Sequence, residues 1–143
     1  MPSERESRSR CFFDGACPGN QFGRKGPMKA AFVVGDVKMI REVPDLQAPS
    51  GTMRSNNIAE YQALILLLRR LQEDDRKDRI QRAYIVCGDS ELVIRQMRGE
   101  YRVRKPHLAR LHAEASQLSK QLDVEFRWVP REENPAGLLL EES

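Results

Sequence analysis

The chain has 143 residues, a formal net charge of +3, 40% hydrophobic residues and 31% charged residues. This length favours one domain with a single packed core, and the mildly basic balance permits a polyanionic partner without requiring one. The chain has no apolar run near the ~20 residues of a membrane span, no signal-peptide core and an odd number of cysteines, so we expect a cytoplasmic protein with no membrane contact. We also expect a monomer with no obligate protein partner.

The first half of the chain is predicted to begin with three strands. Residues 1–9 are expected to be a flexible tail before a single domain at 10–143. Residues 17–27 are rich in turn formers, and 44–54 is predicted to be a second loop. The predicted strands are 11–16, 28–34 and 37–43, of which the last two form a hairpin around Gly35-Asp36.

A long helix is predicted to follow these strands. Either Ser55 or Asn56 can cap its start. The helix is expected to end near Gln72, and the charged run at 73–79 is interpreted as its exit loop. The buried face is defined by residues at helical spacing: Glu60, Leu64, Leu67 and Leu71.

The second half is predicted to alternate strands and helices. The apolar run at 83–87 indicates a strand buried on both faces, followed by a short helix at 90–97. A longer helix begins at Pro106 and carries an apolar stripe to Leu122.

The end of the chain is predicted to form one more strand and a final helix. Val124, Phe126 and Trp128 alternate with charged residues, which indicates a half-buried strand with Trp128 in the core. A short helix is predicted over Pro135–Glu142. The resulting order β-β-β-α-β-α-α-β-α predicts an α/β fold, with a mixed five-stranded sheet flanked by helices.

Three acidic residues lie at the edges of elements that are predicted to be buried. Asp14 ends an apolar strand, Glu60 opens the buried face of the long helix, and Asp89 follows another apolar strand. An unpaired carboxylate in such a place costs several kcal/mol unless a cation or hydrogen bonds compensate it. If the three segments meet, they form one negative pocket for which a divalent metal is the simplest counter-charge.

Several segments, taken in order, resemble type 1 ribonuclease H, especially its compact form without an N-terminal hybrid-binding domain. The resemblance runs from Phe13 to Asn134, and the ordered set is more specific than any one segment. The similar segments are Phe13-Asp14-Gly15-Ala16 with Gly19-Asn20, Ser55-Asn56-Asn57-Ile58-Ala59-Glu60-Tyr61, Gly88-Asp89-Ser90-Glu91-Leu92-Val93, Gly99-Glu100-Tyr101 and Val129-Pro130-Arg131-Glu132-Glu133-Asn134.

The resemblance implies a ribonuclease H-like fold and a metal-dependent endonuclease that cuts the RNA strand of an RNA–DNA hybrid. Asp14, Glu60 and Asp89 match the first three metal-binding carboxylates of the family, which are also its catalytic residues. Two Mg²⁺ ions, with Mn²⁺ as a substitute, are the implied cofactors, since such a pair can activate a water and stabilise the leaving oxygen of a phosphodiester.

The same resemblance implies a set of residues that bind the hybrid. Asn56 and Asn57 match residues that contact it, with amides able to pair with the RNA 2′-hydroxyl. Ser55 matches a contact to the DNA-strand phosphate, and Arg131 is assigned to phosphate contact or product release. The remaining substrate-binding candidates are Cys17, Asn20 and Ser90. The family also uses one further region to hold the backbone of the DNA strand. In this chain that region is a basic run, which comprises Arg95, Arg98, Arg102, Arg104 and Lys105.

The chain departs from the family at the fourth carboxylate. Where the family has Asn-x-x-Ala-Asp-x-Leu, this chain places Leu138 at the position of the Asp. Leucine cannot bind a metal, so the second ion should bind more weakly. Glu141, Glu142 or the amide oxygen of Asn134 can replace the missing ligand, the site can work with three acids and more metal, or the two glutamates are only solvated terminal charges.

Other interpretations stay open from the sequence. Asp89 can be a plain helix N-cap, and Glu60 can belong to a capping box. Gly15 and Gly19 can serve turn geometry alone. At the level of function, the alternatives are a non-catalytic hybrid-binding module that has lost full metal coordination and a related nuclease of the same superfold.

Overall fold

A mixed five-stranded sheet forms the centre of the protein in a computed structural model, which describes residues 8–19 and 26–143. Its strands are β1 (Ser9–Ala16), β2 (Met28–Val34), β3 (Val37–Val43), β6 (Ala83–Gly88) and β7 (Asp123–Trp128). Their order in the sheet is β3-β2-β1-β6-β7. Strands β1, β2 and β3 pair antiparallel, whereas β6 pairs parallel with both β1 and β7. The predicted fold class is therefore confirmed.

Within the described residues, four α-helices cover the two faces of this sheet. They are α1 (Asn56–Asp78), α2 (Glu91–Met97), α3 (Pro106–Ser119) and α4 (Pro135–Glu142). The larger core lies between α1, α3 and the sheet and includes Phe13 of β1. The smaller core lies under α4 on the other face, where Phe12 packs with Ala136. Because side chains alternate along a strand, Asp14 lies on the same face as Phe12, towards α4.

Helix α1 continues past its predicted end near Gln72, and the prediction of an exit loop at 73–79 is wrong. Its last buried residue is Leu71, so the extra turns gain little from the core. They are supported instead by polar contacts: Arg70 Nε donates to Asp74 one turn later (3.0 Å), and the Tyr84 hydroxyl donates to Asp75 (2.6 Å). The helix ends where Arg79 adopts a left-handed conformation with φ 55°.

Two further differences concern segments that were predicted to be irregular. The predicted loop at 44–54 contains a small hairpin of β4 (Leu46–Ala48) and β5 (Gly51–Met53). Ser9 belongs to β1, although it was predicted to end the tail, while residues 1–7 lie outside the described part of the chain. Among the described residues, no helix combines the length and the apolar character needed to cross a membrane.

Candidate active site

The pairing of β1 with β6 brings two of the predicted acids together. These strands run parallel, with Phe12 opposite Cys87, so the same register continued by two residues places Asp14 beside Asp89. Carboxyl ends of parallel strands are where α/β sheets present their ligand sites. Asp14, Asp89 and Glu60 each offer a carboxylate oxygen, and these oxygens all lie within 4.8 Å of one another.

Glu60 reaches the two aspartates because α1 lies unusually close to β1. A Cβ added to Gly15 would lie 2.2 Å from the carbonyl carbon of Ala59 and 2.4 Å from the nitrogen of Glu60, so only glycine permits this approach. The backbone N–H of Gly15 in turn donates to Glu60 Oε1 (3.2 Å). Gly15 therefore serves close packing of a helix on a strand, and the interpretation that it serves turn geometry is wrong.

The site concentrates negative charge in a place with little solvent. Asp14 and Glu60 are only 7% and 6% exposed. Burial raises the pKa of Glu60 well above its usual value, and the neighbouring Asp14 raises it further. Burial and Asp14 also raise the pKa of Asp89, against the lowering effects of an Asn134 hydrogen bond and the Arg131 charge.

The residues present fit a hard divalent cation. Glu60 Oε2 is buried and has no hydrogen-bond partner among the described residues, which is costly unless another group compensates it. The converging donors are all carboxylate oxygens, the ligand type that Mg²⁺ and Mn²⁺ prefer. The pocket that they line has a volume of about 260 Å³.

Asn134 organises the site, although sequence reasoning considered it only as a replacement ligand. It is fully buried, and its Nδ2 donates to Asp89 Oδ2 (2.9 Å) and to the Phe13 carbonyl (3.0 Å). Its Oδ1 accepts from the N–H of Ala136 (3.1 Å) and so caps α4. One side chain thereby ties β1, Asp89 and α4 together. An asparagine directly before Pro135 is the N-cap signal that could have identified this role.

Trp128 is the second residue whose role the sequence did not reveal. It is 48% exposed, so the prediction that it belongs to the core is wrong. Its indole Nε1 donates to the carbonyl of Asp89 (3.0 Å), which fixes the backbone of that residue from the end of β7. An exposed indole with a satisfied N–H is consistent with the amphipathic character of tryptophan.

Helix α4 presents Gly137, and not Leu138, to the carboxylates. A Cβ added to Gly137 would lie 3.0 Å from Asp14 Oδ2 and 3.7 Å from Asp89 Oδ2. Leu138, the residue at the position of the family's fourth acid, is 47% exposed and lies outside the lining of the pocket. We call this pocket the acidic pocket; its lining includes Asp14, Glu60, Asp89, Asn56, Arg131, Gly137 and Glu141.

The two adjacent asparagines at the start of α1 face different surfaces. Asn56 lines the acidic pocket, and its Oδ1 accepts from the N–H of Cys17 (3.0 Å). Asn57 instead lines a groove on the far side of the helix start. Cys17 is buried, and its Sγ accepts a hydrogen bond from Arg54 Nε (3.4 Å), which links the residue after β1 to the segment before α1. Asn20 lies outside the described residues.

Two of the predicted substrate residues are helix caps. Ser55 Oγ accepts from the N–H of Ile58 (3.1 Å) at the start of α1, and Ser90 Oγ accepts from Val93 (3.2 Å) at the start of α2. These bonds settle the open alternatives for the acids: Asp89 is not the N-cap of α2, and Glu60 does not close a capping box, because the third helical residue is Ile58. Any contact of Ser55 or Ser90 with a substrate stays a prediction.

The basic run divides into paired and available cations. Arg95 pairs with Glu91 (2.9 Å), and Arg98 pairs with Glu100 (2.5 Å). The other three cations make no salt bridge within the described residues, and they line the groove that Asn57 faces. We call this the basic groove; its lining includes Asn57, Tyr101, Arg102, Arg104, Lys105 and Leu108.

The sequence matches a known family over most of its length. The family described as Reverse transcriptase-like matches residues 45–138, a span that includes Glu60, Asp89 and the start of α4. The chain belongs to the reverse transcriptase-like family. Among curated relatives, the bifunctional protein Rv2228c of Mycobacterium tuberculosis is 37% identical over 81 residues, which are 56% of this chain. The match covers only 21% of that relative, so it concerns one part of a longer protein.

Solved structures support the same relationship over nearly the whole chain. RNase H1 of Halobacterium salinarum is 27% identical with a TM-score of 0.72, covering 95% of this chain and 99% of that one. LC11-RNase H1 in complex with an RNA/DNA hybrid is 29% identical with a TM-score of 0.77, covering 95% and 96%. The N-terminal RNase H domain of Rv2228c, fused to maltose binding protein, is 28% identical with a TM-score of 0.64, covering 89% and 86%. The resemblance to type 1 ribonucleases H is therefore confirmed.

Proposed function

We propose that this member of the reverse transcriptase-like family is a metal-dependent ribonuclease H that hydrolyses the RNA strand of RNA–DNA hybrids. The observation that carries the proposal is the acidic pocket, where Asp14, Glu60 and Asp89 converge and Glu60 Oε2 is buried without a partner among the described residues. A neighbour of the same fold has been solved with an RNA/DNA hybrid, which supports this substrate class.

In the proposed site, Asp14, Glu60 and Asp89 would hold Mg²⁺, or Mn²⁺ as its substitute. When bound as a pair, these ions supply an activated water and stabilise charge on the leaving oxygen. The protein contributes preorganised ligands. Gly15 fixes Glu60 through its N–H, while Asn134 and Trp128 fix the side chain and the backbone of Asp89. This support limits the reorganisation needed at the moment of reaction.

The positions of the asparagines support recognition of two different strands. Asn56 lines the acidic pocket and Asn57 the basic groove, so a duplex lying across the start of α1 would meet both surfaces. We assign the RNA strand to the acidic pocket, where the Nδ2 of Asn56 can pair with a 2′-hydroxyl and Arg131 with a phosphate. The DNA strand would follow the basic groove. Ser55 and Ser90, at the starts of α1 and α2, would lie between the two strands.

The test of this proposal compares three duplexes that share one sequence, with each strand of the hybrid labelled in turn. We expect cleavage of the RNA strand in the RNA–DNA hybrid in Mg²⁺ or Mn²⁺, and no cleavage of double-stranded DNA, double-stranded RNA or the DNA strand of the hybrid. EDTA should abolish the reaction. Tight hybrid binding without cleavage in either metal would instead favour a non-catalytic binding module. This is the second candidate because the exposed Leu138 stands where the family has its fourth acid.

Neutralising the basic groove should weaken hybrid binding in a salt-dependent way. In the triple variant Arg102→Gln, Arg104→Gln, Lys105→Gln, the slope of log K against log[salt] should fall by about 0.9 for each phosphate that the variant no longer neutralises. Fluorescence anisotropy with a labelled hybrid at several salt concentrations measures this slope. A double variant of the paired cations, Arg95→Gln with Arg98→Gln, is the control and should change the slope by less than about one unit. Equal changes per removed charge in both variants would show that only net charge matters.

A further inference from the structure

Glu141, in the last turn of α4, lines the acidic pocket together with the three converging acids. We propose that Glu141 is the fourth carboxylate ligand of the metal site, reaching it from one helical turn beyond Gly137. This inference rests on the proposed function, because it concerns the same cations. It selects Glu141 from the replacement ligands that the sequence leaves open.

The geometry of α4 allows this reach. Residues four apart lie above one another on the same face of a helix, so Glu141 shares the face of Gly137, which directly approaches Asp14. Helical side chains lean towards the N-terminus and cover the preceding turn. The preceding turn carries no side chain at Gly137, so the path from Glu141 to the carboxylates is open. A larger residue at 137 would stand between them.

The other replacement ligands fit the structure less well. Both ends of the Asn134 amide are committed, since Nδ2 donates to Asp89 and Phe13 while Oδ1 accepts from Ala136. Glu142 lies about 100° further around the helix and is not part of the pocket lining. Glu141 is exposed and makes no hydrogen bond or ion pair within the described residues, so no competing contact holds it elsewhere.

Charge balance gives the second reason for a fourth acid. Two divalent cations bring four positive charges, whereas Asp14, Glu60 and Asp89 supply three negative charges when they are all ionised. The Arg131 guanidinium lines the same pocket and adds positive charge. Affinity for hard cations follows the number of charged oxygen ligands, so a fourth carboxylate favours the occupancy of the second ion. The unpartnered, buried Glu60 Oε2 independently indicates that the pocket is built for a cation.

The test measures metal binding in the substrate-free protein. Mn²⁺ is titrated into wild type, Glu141→Gln and Glu142→Gln, and free Mn²⁺ is followed by electron paramagnetic resonance. We expect two ions per wild-type chain, with the weaker affinity reduced about tenfold or more in Glu141→Gln and unchanged in Glu142→Gln. Both substitutions are isosteric, exposed and adjacent, so they change net charge equally and leave the fold intact. Equal titrations for Glu141→Gln and wild type would overturn the inference.

The same titration separates this inference from the proposed function. If wild type cleaves no hybrid but Glu141→Gln still loses affinity for the weaker ion, the activity is wrong and the ligand assignment stands. If wild type cleaves hybrids and all three proteins bind Mn²⁺ identically, the activity stands and Glu141 is not a ligand.

Discussion

Asp14→Asn is expected to lower the rate of hybrid cleavage roughly a thousandfold, which corresponds to about 4 kcal/mol of lost transition-state stabilisation. Asp14 is the acid in closest association with the others: it influences the pKa of both Glu60 and Asp89 and faces Gly137 across the pocket. Asparagine keeps the shape but removes the charge. Single-turnover cleavage of a labelled hybrid in Mg²⁺ and in Mn²⁺ measures the effect.

The same substitution should stabilise the protein when no metal is present. Three buried or half-buried carboxylates repel one another, and removing one charge relieves the other two. In EDTA, Asp14→Asn should therefore gain about 1 kcal/mol, a rise in Tm of about 3 °C for a domain of this size. Added Mg²⁺ should raise the Tm of wild type by mass action and leave that of the variant almost unchanged.

A surface variant serves as the control for both effects. Asp36→Asn makes the same chemical change in the exposed turn between β2 and β3 and should alter neither cleavage nor metal-free Tm. A lower Tm of Asp14→Asn in EDTA would contradict the electrostatic argument, because it would mean that the Asp14 charge is already compensated by the protein itself. Cleavage that persists at the wild-type rate would remove Asp14 from the catalytic group.

The sequence was sufficient to identify the three acids because each one breaks a strong apolar pattern. Asp14 and Asp89 follow buried strands, and parallel pairing of those strands places both at the same edge of the sheet. Glu60 stands where the stripe of α1 calls for an apolar residue. Such local conflicts between pattern and residue type are expected at functional sites, because a residue that the chemistry needs stands where an apolar residue would stabilise the fold.

The support around the acids could not be predicted, because it depends on distances between elements. No sequence pattern indicates why residue 15 must be glycine. The reason is the 2.2 Å distance at which a Cβ on Gly15 would meet the backbone of Ala59. The phase of α4 is set by the cap at Asn134, and that phase decides that Gly137 faces the pocket and Leu138 faces solvent. The predicted end of α1 came too early for a related reason: its last turns carry no apolar stripe and are stabilised by polar contacts such as the Arg70–Asp74 ion pair.

Gly15→Ala is expected to destabilise the fold by about 3 kcal/mol or more, equivalent to a fall in Tm of about 10 °C. The added methyl group would meet three backbone atoms between 2.2 and 2.4 Å away, which belong to Ala59 and Glu60. Backbone atoms near the start of a packed helix cannot swing aside as a flexible side chain can, so α1 and β1 must separate. Urea unfolding of the two proteins measures the loss.

The displacement of α1 should also move Glu60 away from the aspartates, so that any folded Gly15→Ala protein binds Mn²⁺ more weakly than wild type. Gly35→Ala is the matched control. Gly35 has φ 56°, and nothing lies within 4 Å of its added Cβ, so the same substitution should cost only about 1 kcal/mol of backbone strain there. It should leave Mn²⁺ affinity unchanged. If the two alanine variants lost equal stability, conformational preference alone would account for Gly15, and the close approach of helix to strand would not be what places Glu60 in the pocket.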